Sequence, residues 1–157
     1  MTEMSKVVRT ITSLSFPFIL IYGLYVIAHG HLTPGGGFQG GAIVASALAM
    51  IIVAFGSKWV LDRIKEKNIS LLESVGAICF ILLAFFGLTY ADPVFFKNFV
   101  VDNPYLFGQV VTDNAANINT AGVIPLMNFA VGLKVIAGLF VIVLVLAYAS
   151  TAMEGKK

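Results

Sequence analysis

Residues 128–149 read NFAVGLKVIAGLFVIVLVLAYA, an almost unbroken apolar run carrying a single charge, Lys134. About 20 apolar residues suffice for a helix to cross a ~30 Å hydrocarbon layer. A barrel strand would be half as long and would alternate polar with apolar positions, so the run is predicted to be a transmembrane helix. Three further runs lie outward from it in sequence. The four predicted spans are about 11–28, 38–55, 71–91 and 122–149. The last is long enough to require tilt, and Pro125 loosens its first turn.

Composition agrees with a bilayer environment. Hydrophobic residues make up 59% of the 157, and charged residues 11%, against roughly 25% charged in a soluble domain. Mean hydropathy is +0.94. The predicted architecture is therefore all-α, an integral membrane protein of four transmembrane helices forming one transmembrane domain over residues 1–157. The first run is longer than a usual signal-peptide core and lacks a small-x-small cleavage site, so it reads as a retained span. Lys6, Arg9, Lys58, Arg63, Lys65, Lys67, Lys156 and Lys157 all fall on one side of a four-span arrangement, with only Lys97 on the other. By the positive-inside rule both termini are expected in the cytoplasm. The net charge of +2 is then orientation charge and no sign of nucleic-acid binding. Cys79, the lone cysteine, permits no internal disulfide and reads as a small apolar packer.

Between the first two spans lies GHLTPGGGFQGG, residues 30–41, with six of the fifteen glycines. A nucleotide-binding loop would follow a strand and bring a nearby Lys-Ser/Thr pair; here both flanks are membrane helices. A turn is expected at Thr33-Pro34 and the two glycines after it. Farther on, Gly37, Gly41, Ala45 and Ala49 recur every fourth residue, with Gly36, Gly40 and Ser46 beside them. In lipid, helices associate through close backbone approach and hydrogen bonds, so this stripe is expected to dock a helix of this chain or of another subunit. Gln39 offers an interhelical hydrogen bond or a place on a polar pathway. The link after Phe55 mixes Trp59, Val60, Leu61 and Ile64 with charges and is expected to lie along the cytoplasmic interface. Residues 92–120, the longest polar stretch, are predicted to be external, with structure of their own or contact with a neighbour.

Lys134 is the chemically unusual residue. It lies roughly 22 Å from the cytoplasmic end of its span at 1.5 Å per residue, and an unpaired charge at such depth costs at least about 2.5–3.5 kcal/mol. The one acid within a span is Glu73, and counting from the helix ends puts it roughly 20 Å from Lys134 along the membrane normal. Three outcomes stay open: Lys134 reaches up to water, packs against carbonyls and Asn128, or meets an acid from another protein. His29 and His31 stand at the external mouth, suited to interface hydrogen bonds or to proton handling. They lack companion ligands for a metal, and no nucleophile–base pair is evident, so the chain is expected to be no enzyme by itself and to carry no cofactor.

With GHLTPGGGFQGG and NFAVGLKVIAGLF (128–140), the sequence resembles the B subunit of multisubunit cation/proton antiporters of the Mrp type. That family includes corresponding subunits of archaeal membrane-bound hydrogenase and sulfane reductase complexes. The resemblance runs over nearly the whole chain, on Gly35–Gly37, Phe38, Gln39, Gly40, Gly41, Gly132, Leu133 and Lys134. It implies an accessory, multi-pass subunit in the plasma membrane of a bacterium or archaeon, beside other antiporter subunits and hydrogenase-like subunits, where Na+ and H+ are the transported ions. Lys134, His29, His31 and Gln39 are then candidates for ion translocation, and Gly36, Gly37, Gly40, Gly41, Ala45 and Gly132 for helix packing.

Overall fold

The computed structural model describes residues 4–32, 35–89, 94–99 and 122–154. Helix α1 spans Lys6–His29, α2 Gly37–Phe55, α3 Ser57–Arg63 and α4 Glu66–Phe86, the last followed by a 3-10 turn at Gly87–Thr89; α5 spans Ile124–Glu154. The described residues contain no strand. Helices α1, α2, α4 with its turn, and α5 are each long and apolar enough to cross a membrane.

Local chemistry fixes the helix ends. Ser5 caps α1 by accepting a hydrogen bond from the Val8 N–H, filling one of the donors a helix start leaves orphaned. The helix then passes through Pro17 without a break. Gly56 ends α2 at φ +87°, a left-handed conformation that a Cβ disfavours, and turns the chain into α3. There the Trp59 ring stacks on Phe55 at 4.8 Å, and the Arg63 guanidinium lies 3.8 Å over Trp59, a cation–π contact. Pro125 falls in the first turn of α5, where its missing N–H removes no helical bond. With 31 residues, α5 is about 46 Å long, well beyond the hydrocarbon thickness.

The four long helices stand in the order α1, α2, α5, α4. Helix α2 packs between α1 and α5, and α4 packs chiefly on α5. One apolar core joins Ile52, Val60, Ile69, Ala137, Phe140 and Leu144. It lies toward the end where Ser57 and Thr151 hydroxyls are 3.4 Å apart and Arg9 lies 5.0 Å from the Phe55 ring. Lys6, Arg9, Lys58, Arg63, Lys65 and Lys67 share this basic end, whereas Lys97 belongs to the opposite, glycine-rich end. Lys156 and Lys157 lie outside the described residues.

At the glycine-rich end, residues 94–99 fold back over the tip of α4. The Phe96 N–H donates to the Ala84 carbonyl at 3.2 Å, and Phe95, Phe96 and Phe99 pack edgewise or tilted on Phe85, Phe80 and Phe86. Asn98 Oδ1 accepts from the Val123 N–H at 3.1 Å, tying this turn to the start of α5. The remainder of the polar stretch, 92–93 and 100–120, lies outside the described residues.

Candidate functional site

The glycines of α2 split into two faces. A Cβ at Gly41 would stand 2.9 Å from Val135 Cβ and 3.0 Å from the Gly132 carbonyl oxygen, and one at Gly37 would collide with the Asn128 carbonyl. Gly36 abuts the Asn128 amide at 2.6 Å by the same measure. Gly36, Gly37, Gly41 and Gly132 therefore serve the α2–α5 contact. Gly40 faces the other way: a Cβ there would be 2.7 Å from the Gly23 carbonyl oxygen and 2.5 Å from Ile27 of α1. Ile27 also reaches Gly132, where a Cβ would be 2.8 Å from its Cδ1, so one side chain of α1 locks α2 and α5 together. Ala45 is buried, 4% exposed.

Two polar neighbourhoods follow from this packing. The first is the mouth at the glycine-rich end. His29 stacks on Tyr25 at 5.1 Å, and His31 lies 6.2 Å from His29. Both ring nitrogens of His31 and the Asn128 Nδ2 are buried with no hydrogen-bond partner among the described residues, a costly state for polar atoms. The Gln39 amide folds back against Gly35, whose φ of +114° suits glycine alone.

The second neighbourhood is the α4–α5 seam, and here the separation of Lys134 from Glu73 expected from sequence is corrected. Lys134 is exposed on the surface of the chain, ten residues or about 15 Å into α5. It does not stand far from an acid. A Cβ at Gly76 of α4 would lie 2.8 Å from the Lys134 amide nitrogen, and one at Gly138 would lie 3.6 Å from Glu73 Oε1. Since Gly76 is three residues past Glu73 and Gly138 four past Lys134, the acid and the base are offset by about one helical turn, roughly 6 Å, instead of 20 Å. Counting from helix ends failed because α5 overshoots α4 by ten residues. Glu73 is thus a candidate residue that sequence reasoning passed over; the small residues Gly76 and Gly138 were the available sign of close approach.

The seam and the mouth are separate. Asn128 faces α2 and Lys134 faces α4, so the structure does not bring His29, His31 or Gln39 together with Lys134. Above the seam, toward the glycine-rich end, an apolar groove of about 530 Å³ is lined by Cys79, Leu83, Phe86, Leu126, Phe129 and Leu133, among others.

With this geometry in hand, comparison with known proteins is decisive. A family model described as a domain related to the MnhB subunit of Na+/H+ antiporter matches residues 7–141. The chain belongs to this family. The match takes in α1 to α4 and the part of α5 that holds Lys134. Among similar proteins, an uncharacterised protein of Methanocaldococcus jannaschii is 39% identical over 132 residues, covering 80% of this chain and 47% of that protein. A Staphylococcus aureus protein named as antiporter subunit mnhB2 is 34% identical over 93 residues, 59% of this chain and 65% of its own. Among solved structures, a chain of the membrane-bound sulfane sulfur reductase, an archaeal respiratory membrane complex, superposes with a TM-score of 0.77 at 31% identity, covering 93% of this MnhB-related chain and 59% of that one. This chain spans only about half to two thirds of the length of these relatives.

Proposed function

We propose that this MnhB-related chain is an accessory, non-catalytic subunit of a multisubunit Na+/H+ antiporter module, working within a plasma-membrane assembly of a bacterium or archaeon. Both termini face the cytoplasm in this reading, because the basic end of the helix row is the side that Lys and Arg favour. Its neighbours are other antiporter subunits and, in a redox-driven complex, hydrogenase-like subunits.

The observation that carries the reading is Lys134. It is an exposed cation about a third of the way along α5, a helix long and apolar enough to cross a membrane, and hydrocarbon does not tolerate it there without company. An ion path or an adjoining subunit supplies that company. Replacement of Lys134 with Ala in the intact complex is expected to abolish sodium-dependent proton transport in membrane vesicles while the subunits still copurify. Transport at the wild-type level would overturn the reading.

A purely structural subunit is the alternative, and the glycine contacts of α2 favour it. Those contacts are made to α1 and α5 of this same chain, so their role in assembly acts through the chain's own fold. An assembled K134A complex with full transport would select this alternative.

A further inference from the structure

Building on the reading of Lys134 as an ion-translocating residue, we propose that Glu73 is its counter-ion. The amine swings about one helical turn along the α4–α5 seam, between an open position and an ion pair with the Glu73 carboxylate.

Four observations support the pair. First, Gly76 lets the two backbones touch at Lys134, so no bulky side chain separates the two residues along the seam. Second, the Glu73 carboxylate rests beside Gly138, where the missing side chain leaves a clear approach from one turn above. The four-carbon stem of a lysine is comparable in length to that turn and is flexible enough to reorient. Third, Lys134 and Glu73 make no ion pair in the structure, which is the open arrangement. Helical side chains lean toward the start of their own helix, and α4 and α5 are antiparallel, so by default these two leave the seam in opposite directions. Fourth, neither α1 nor α2 contains an acidic residue, and the only acid of α5 is its last residue. Among the described residues, Glu73 is the one carboxylate placed to neutralise Lys134 at that depth.

The two states differ in what they present to a neighbour. Closed, the pair is neutral in sum and tolerable in hydrocarbon. Open, Lys134 presents a full positive charge at the chain's surface to an adjoining path. Transport depends on the swing between the two states, which a neutral residue at either position removes.

The test uses the intact complex in native membranes and a hydrophobic probe, dicyclohexylcarbodiimide, whose central carbon is attacked by an accessible carboxyl group to give a stable adduct. A lysine seated on the carboxyl group covers it, so K134Q is expected to raise carbodiimide labelling of Glu73 several-fold, read by mass spectrometry. G138V, which fills the approach, is expected to do the same with Lys134 still present. In transport, K134Q is expected to abolish the activity as K134A does, E73Q to lower it roughly tenfold, the effect of a pairwise interaction of ordinary strength, and the exchanged pair E73K/K134E to recover most of it. Labelling unchanged by K134Q, or no recovery in an exchanged complex whose subunits copurify, would overturn the pairing. Raised labelling with normal K134Q transport would keep the pairing and reject the transport role of Lys134, so the two ideas fail separately.

Discussion

Gly76 of α4 rests on the backbone of Lys134 in α5: a Cβ at position 76 would stand 2.8 Å from the Lys134 amide nitrogen and 2.8 Å from the Ala130 carbonyl oxygen. Neither atom can yield without moving its helix, so Gly76→Ala is expected to push α4 off α5 at about 1–3 kcal/mol, the usual range for overpacking. The midpoint of thermal unfolding of the purified complex measures this. Gly138→Ala is the control, because its added methyl meets Glu73 at 3.6 Å, ordinary contact, and the midpoint should hardly change.

Gly41→Leu is expected to prevent stable accumulation of the chain in membranes, since even a Cβ there stands 2.9 Å from Val135 and 3.0 Å from the Gly132 carbonyl. Ser46→Ala, on the same helix, is expected to change stability by no more than about 0.5 kcal/mol. Its hydroxyl is exposed and bonds only the Ala42 carbonyl of its own helix, at 2.8 Å. Quantitative immunoblotting of membranes, with copurification of partner subunits, separates the two outcomes.

Asn98→Ala removes the acceptor of the Val123 N–H and is expected to cost about 0.5–1.5 kcal/mol, the net worth of one hydrogen bond. The turn at 94–99 should loosen from α5, and tryptic cleavage after Lys97 should begin earlier than in the wild type. An unchanged cleavage course would show that the phenylalanine contacts and the Phe96 N–H bond to Ala84 hold the turn without Asn98.

His31→Phe is expected to preserve or raise stability, because it deletes two buried ring nitrogens that have no partner among the described residues and keeps an aromatic of similar shape. Sodium-dependent transport is expected to fall. Full transport by this variant would take His31 off the ion path.

Much of the architecture was legible because continuous apolar runs of this length favour long helices, and among the described residues a helix lies over each predicted run with its ends shifted by a few residues. The exceptions have physical causes. The 71–91 run belongs to a helix starting at Glu66, since a helix continues past the membrane boundary wherever its backbone can still bond. Periodicity marked Gly37 and Gly41 as a small-residue stripe but carries no partner name, and only tertiary packing shows that they meet α5 while Gly40 meets α1. The proximity of Glu73 to Lys134 was hidden for the same reason. Sequence gives depth along one helix, but the sliding of one helix against another is set by side-chain interlocking, here by Gly76 against Lys134.

Among the described residues, the four long helices form a row with α4 at one edge and α1 at the other, and close no ring. A row can border a watery conduit but does not surround one, so an ion path beside these helices would take its far bank from outside them.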